Sequence, residues 1–203
     1  MKDPLVWPIH AVKISTELKN VEPETIKKIV MPYAQASFFT IKMDVLQNEL
    51  QSLPWVQKVN IERIWPDTLK IAIIEQNAIL RWQETGFIND KGELFDPKQA
   101  HGFQLPKLSG DTARYQEVLS EFKRLNTRLA TIGLSVVELD LSPRSAWSAR
   151  LDNGLWLYLG QDDIGTRLAR LIKVMPTLNL ENPKMMYVDL RYTNGWVLGH
   201  GKE

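Results

Sequence analysis

Cysteine is absent from the 203-residue chain, which removes disulfides, thiolate nucleophiles and zinc–thiolate sites together. The compartment stays open, because a cysteine-free chain folds equally well in oxidising and reducing surroundings. No apolar run approaches the roughly 18 residues needed to cross a bilayer. The opening Met1–Ile9 stretch is interrupted by Pro4 and Pro8 and is too short for the apolar core of a signal peptide. The sequence therefore reads as a soluble protein or as the soluble piece of an anchored one. A charge surplus is missing too. Lys+Arg 25 against Asp+Glu 24 leaves +1, and the first 75 residues carry nine of each sign. Binding to a phosphate backbone draws most of its affinity from such a surplus, so nucleic acid is not expected as a partner. Internal repeats and low-complexity tracts are also lacking. What remains is ordinary globular composition, 44% hydrophobic and 24% charged, in a chain long enough for two domains.

Signatures of chemistry are equally scarce. The three histidines, His10, His101 and His200, lie in separate elements, none in an H-x-x-x-H or H-E-x-x-H setting, so no metal site or cofactor is expected. The paired carboxylates have structural explanations: Asp162-Asp163 stand where a helix N-terminus needs caps, and Asp90 and Glu93 fall in a turn. No G-x-S-x-G, Walker A or G-x-G-x-x-G motif occurs. The chain is not expected to be an enzyme.

Residues 10–75 predict a β-α-α-β-β unit. His10–Ser15 alternates with period two, as a half-buried strand does. Pro23 opens a helix over Glu24–Val30 with acid in its first turn. A second helix fits Asp44–Leu53, with Val45, Leu46, Leu50 and Leu53 on one stripe, and Pro54 ends it. Strands Val56–Arg63 and Thr68–Glu75 follow, joined over Trp65-Pro66-Asp67. Proline at a turn's second position and an aspartate bonding the backbone ahead predict a hairpin there.

The remainder is longer and sheet-rich. Short strands are predicted at Ala78–Trp82 and Gly86–Phe95, the latter folded over Asn89-Asp90-Lys91-Gly92. A helix follows from about Asp111 to Thr131, closed by Gly133. Leu134–Leu141 is the next strand, then a hairpin of Trp147–Leu151 and Leu155–Leu159 over Asp152-Asn153-Gly154. A second helix starts at Asp162-Asp163, with Ile164, Leu168, Leu171, Ile172 and Met175 buried, and Pro176 kinks or ends it. Met186–Tyr192 and Trp196–Gly199 form the last unit, around Thr193-Asn194-Gly195. The fold class is α+β.

Of the seven tryptophans, Trp65, Trp82, Trp147 and Trp156 are expected in the core or packed on the sheet. Trp7, in the irregular lead-in, suits a membrane–water boundary. Tyr192 and Trp196, across a tight turn near the chain end, suit two roles equally: capping the sheet's own core, or anchoring another chain at an open edge. In the preceding strand Val188 and Leu190 take the core face, while Tyr187, Asp189 and Arg191 face outward. That outward face fits either a solvated sheet or a polar interface.

Leu53-Pro54-Trp55-Val56, the alternating Val59, Ile61 and Arg63, Trp65-Pro66-Asp67-x-Leu69-x-Ile71 and Glu75 together resemble the POTRA module of the FtsQ/DivIB family of bacterial cell-division proteins. Tyr187-Val188-Asp189-Leu190-Arg191-Tyr192 with Gly195, and Gly160–Leu171 with its Arg167-Leu168-Ala169-Arg170, are similar to later parts of the same family, so the resemblance runs the length of the chain. It implies residues 1–9 as a membrane-proximal lead-in, 10–77 as a POTRA domain, and 78–203 as a larger mixed β domain with two main helices and an exposed C-terminal edge strand. It further implies a non-enzymatic, single-pass inner-membrane protein of the division septum, of which this chain is the periplasmic part, the N-terminal membrane helix lying outside it. Such proteins bind FtsB and FtsL, help control septal peptidoglycan synthesis, and meet other divisome proteins through the POTRA domain. In relatives a segment of FtsB adds as a strand to the last strands.

Carried over by position, the resemblance implies that Tyr192 contacts FtsB. Asn194 stands where enteric members have a binding serine. Arg144 keeps one member of a basic pair before Trp147, with Ser145 in the other place. His200 replaces the family's binding tryptophan, and Trp196 appears earlier instead. Ala78 replaces a proline common after Glu75. Residues 187–198 are then the expected edge, with Tyr192 and Trp196 as anchors, Arg144 attracting acidic partner residues, and Tyr187 and Arg191 on the same strand. Three other readings are open: a POTRA-type chaperone or translocation module for outer-membrane or secreted proteins, an enzyme acting on cell-wall material, and a structural spacer. A chaperone of this type usually continues into a β-barrel, and no series of ten-residue amphipathic strands follows.

Overall fold

The computed structural model describes residues 9–34, 41–97, 102–177, 186–192 and 195–200. Trp7 and the rest of 1–8, His101 and Asn194 lie outside the described residues. The chain divides into two compact units, one of residues 1–77 with 95–98, the other of 78–94 with 99–203.

In the first unit β1 (Ala11–Ile14), α1 (Pro23–Ala34), α2 (Met43–Gln51), β2 (Val56–Ile64) and β3 (Thr68–Glu75) follow in order. The sheet order is β1-β3-β2, with β1 parallel and β2 antiparallel to β3. The period-two pattern of β3 explains its central place: Leu69, Ile71 and Ile73 are fully buried, alternating with residues of the opposite face. They pack with Ile26 and Val30 of α1, Leu46 and Leu50 of α2, and Val59 of β2 in the same core. Only Leu46 and Leu50 of the expected α2 stripe are buried. Val45 is exposed and Leu53 lies beyond the helix, because two and a half turns place a single i, i+4 pair against β2 and α1.

The β2–β3 hairpin forms as expected, pairing Ile64 with Thr68 across Trp65-Pro66-Asp67. The Trp65–Pro66 peptide is cis. Trp65 is not a core residue: it sits at the hairpin tip beyond the last strand pair and is 67% exposed. Asp67 ties the tip to the start of β1, taking the His10 backbone N–H on its carbonyl at 3.0 Å and lying 3.0 Å from His10 Nδ1 through its carboxylate.

Glu75, the last residue of β3, holds the loop before α1. Its carboxylate accepts the backbone N–H groups of Lys19 at 3.1 Å, Asn20 at 3.0 Å and Val21 at 2.8 Å. Three otherwise orphaned donors are satisfied by one charged side chain.

The second unit is built on a mixed sheet, nine-stranded among the described residues. Its strands are β4 (Ala78–Trp82), β5 (Gly86–Asn89), β6 (Leu94–Phe95), β7 (Lys107–Ser109), β8 (Val136–Leu141), β9 (Trp147–Leu151), β10 (Trp156–Gly160), β11 (Met186–Asp189) and β12 (Val197–His200). They lie in the order β12-β11-β10-β9-β8-β7-β4-β5-β6. Two helices, α3 (Tyr115–Leu129) and α4 (Ile164–Val174), bury Val118, Leu125 and Leu129, and Ile164, Leu168 and Leu171, against Leu139, Ala149, Leu157 and Val188 of the sheet. Gly133 closes the first helix in the left-handed conformation, at φ 71°, which a side chain would strain.

Two expectations change here. Asp163 does not cap α4 with its side chain; it adopts φ 53°, ψ 27° and makes no side-chain cap hydrogen bond, while its carbonyl accepts the Arg167 N–H at 3.0 Å. Aspartate tolerates that left-handed backbone better than most side chains. The three-residue β7 was not anticipated. It lies in mid-sheet, parallel to both β4 and β8, yet is too short for any periodicity to mark it. Trp82 and Trp147 are buried and Trp156 is half-buried, as expected. No helix among the described residues is long and apolar enough to cross a membrane.

Candidate functional site

The last strand of the sheet is its edge. β12 pairs antiparallel with β11, and β11 pairs parallel with β10, so among the described residues β12 has a strand on one side only. Val197-Leu198-Gly199-His200 contains no Lys, Arg, Asp, Glu or Pro. Those are the residues with which natural edges are usually protected against pairing with another chain. Val197 is 45% and Leu198 36% exposed, so the edge strand carries exposed apolar side chains.

The outward face next to this edge is built by register. Trp156 pairs with Tyr187, Tyr158 with Asp189, and Tyr187 with Gly199. The rings of Tyr158 and Tyr187 meet edge to face, 5.5 Å between centroids, and the Arg191 guanidinium lies 5.8 Å from the Tyr158 ring centre. Asp189 fixes that guanidinium: Arg191 donates from Nε at 2.9 Å and from Nη2 at 2.6 Å, and its backbone N–H also reaches the carboxylate at 3.0 Å. Arg167 sits close by, donating from Nη1 to the Leu159 carbonyl at 2.7 Å beneath the left-handed Gly160.

Val188 and Leu190 are buried in the core, as the alternation predicts, but the outward Asp189 is buried as well, at 6% exposure. The Arg191 side chain covers it. Its hydrogen bonds, above all, hold the Asp189 carboxyl below the usual carboxylate range against the opposing effect of burial, with the charge of Arg167 adding to the same direction. A carboxyl depressed in the folded state contributes stability above its unfolded pKa of about 3.9, and that contribution is lost as pH falls through the folded value. Asp189→Asn is therefore expected to lower stability at pH 7 by about 1 kcal/mol, allowing for the solvent-facing side of Arg191. The deficit shrinks towards pH 3 when unfolding is followed by denaturant titration across that range.

The expected site residues are spread over both ends of the last strands. Tyr192 is 56% exposed and follows directly on Arg191. Arg144 is exposed in the β8–β9 loop, whose carbonyl at that residue accepts Gln161 Nε2 at 2.5 Å. Since β10 and β11 run parallel, this loop and the segment after Gly160 share one end of the sheet with Arg191, Tyr192 and Trp196. Trp196 is half-buried and packs against the core cluster. Tyr187, half-buried, and His200, exposed, lie towards the other end of the last two strands. Sequence reasoning missed Tyr158, 39% exposed, together with the positioning roles of Asp189 and Arg167. The outward direction of Tyr158 was readable from its buried neighbours Leu157 and Leu159; its contact with Tyr187 depends on a parallel pairing that nothing local announces.

Comparison with known proteins agrees with this architecture. The family described as "Cell division protein FtsQ/DivIB, C-terminal" matches residues 80–191, and "POTRA domain, FtsQ-type" matches residues 7–76. Cell division protein FtsQ of Shewanella oneidensis is 35% identical over 202 residues, covering 99% of this chain and 77% of that protein. The protein of that name from Xanthomonas campestris pv. campestris is 34% identical over 193 residues, 95% of this chain and 69% of the relative. That of Escherichia coli is 28% identical over 207 residues, 98% and 75%. With a POTRA unit, a mixed sheet ending in an open strand, and matches along both, the chain belongs to the FtsQ/DivIB family of cell division proteins.

Proposed function

We propose that this protein is a non-enzymatic divisome scaffold that receives a strand of FtsB, held with FtsL, on the free side of β12. The observation that carries the reading is the edge itself: among the described residues the outermost strand is free of Lys, Arg, Asp, Glu and Pro and exposes apolar side chains. Strand addition supplies a ladder of main-chain hydrogen bonds, and alternate side chains supply selectivity. Tyr192 is the exposed aromatic anchor, Arg144 and Arg191 attract acidic partner residues, Trp196 immediately precedes the edge strand, and His200 is its last residue. In this reading the chain is the periplasmic part of a single-pass inner-membrane protein at the septum, and its partners' contacts help control septal peptidoglycan synthesis. The POTRA unit makes separate contacts with other divisome proteins. A groove of about 360 Å³ between β1 and α1, lined by Val12, Ile26, Val30 and Met31, is the surface there that suits them.

The test is calorimetric titration with the periplasmic C-terminal part of FtsB from the same organism. Saturable one-to-one binding is expected, and Tyr192→Ala in a folded chain should weaken it by about 2 kcal/mol, roughly 30-fold. Unchanged affinity removes Tyr192 from the site. Binding of unfolded outer-membrane peptides in place of FtsB would favour a chaperone.

A further inference from the structure

We infer that Gly199 is an opening in the edge strand through which Tyr187, one strand further in, reads a side chain of the strand that adds to β12. The inference rests on the edge-strand reading above and assigns a specificity-determining contact within it. Tyr187 and Gly199 are register partners. A Cβ placed on Gly199 would stand 2.5 Å from the Tyr187 hydroxyl oxygen and 2.7 Å from Cε1, and closer still to Cζ. The atoms that such a Cβ would strike are at the tip of the phenol. The Tyr187 side chain therefore crosses from β11 and ends over the β12 backbone, on the outward face of the sheet. Gly199 does not have the left-handed backbone of Gly133 or Gly160, so glycine is needed here for space and not for conformation.

The phenol is also held in place. Tyr158 meets it edge to face, and Arg191, itself fixed by Asp189, lies against Tyr158. A ring ordered before binding loses little entropy when a partner arrives. On the same face of β12, two residues away, Val197 is exposed. An incoming strand thus meets an apolar pair, the Val197 side chain and the Tyr187 ring, where an ordinary edge residue would have offered its own side chain. The partner position opposite Gly199 on this face takes an aromatic or branched aliphatic side chain.

A double-mutant cycle tests this with the periplasmic C-terminal part of FtsB as the probe. Tyr187→Ala and Gly199→Ala are each expected to weaken binding about tenfold, the first by removing the ring and the second by pushing it off β12. The double variant should be weakened by little more than either alone, because both remove one contact. Tyr187→Phe should bind within about twofold of the unaltered chain, since the ring face makes the contact. Multiplying effects, near a hundredfold in the double variant, would overturn the inference, and so would Gly199→Ala binding normally. If Gly199→Ala loosens β12 by near-ultraviolet circular dichroism, the Tyr187 pair decides: full affinity in Tyr187→Ala overturns the contact, whereas loss in Ala with retention in Phe supports it. No binding by the unaltered chain overturns the edge reading and this contact together, whereas binding with an uncoupled cycle overturns this contact alone.

Discussion

Leu198→Pro is expected to abolish binding of the FtsB segment, by more than about a hundredfold, while both units stay folded. Proline has no backbone N–H and its ring intrudes on a neighbouring strand. If the Leu198 N–H faces outward, the substitution removes a donor from the ladder that the partner needs. If it faces β11, the substitution loosens β12 itself. Either way the edge can no longer accept a strand. The fold survives because β12 is four residues long, outermost in the sheet, and contributes none of the fully buried side chains that join α3 and α4 to the sheet. Titration of the variant, with a thermal melt alongside, reads both halves. An affinity within threefold of the unaltered chain would place the partner elsewhere.

The second large effect concerns stability. Glu75→Ala is expected to destabilise the POTRA unit by about 2–3 kcal/mol, because three backbone N–H groups lose a charged acceptor at once. The loop over residues 19–21 leads directly into α1, and Val21 and Ile26 are buried, so its loosening reaches the core. For a unit of this size each kcal/mol corresponds to roughly 4–8 °C in the melting midpoint, which predicts a fall of about 10 °C or more for the transition of the first unit. Glu75→Gln keeps one carbonyl oxygen and should recover about half of that loss. The transition of the second unit should not move. Differential scanning calorimetry of the three chains checks this, and an unchanged midpoint in Glu75→Ala would show that the loop holds itself.

These two sites differ in how far the sequence disclosed them. The POTRA strands were legible because Leu69, Ile71 and Ile73 alternate strictly, and the hairpin because Trp65-Pro66-Asp67 interrupts two such runs. Glu75 stood out only as part of a family pattern; its grip on residues 19–21 spans more than fifty positions and leaves no local trace. The cis peptide before Pro66 and the left-handed Asp163 are choices among backbone states that the residues permit without dictating. At the C-terminal edge the parity of Val188 and Leu190 was readable. The burial of Asp189 was not, since it comes from Arg191 folding back across two residues and from the β10 pairing beneath. Gly199 looked like one glycine among eleven until the Tyr187 ring was found above it. Periodicity reports which face a residue takes; contacts between strands distant in sequence have to be seen.

In the proposed complex β12 takes the FtsB strand along its free side. Amide hydrogen exchange across Val197–His200, followed by nuclear magnetic resonance with and without a saturating amount of the periplasmic part of FtsB, tests it most directly. Outward-facing amides of β12, fast in the free chain, are expected to become protected by at least tenfold on binding, while amides of β2 in the POTRA unit do not change. Saturable binding that leaves every β12 amide as fast as before would contradict it.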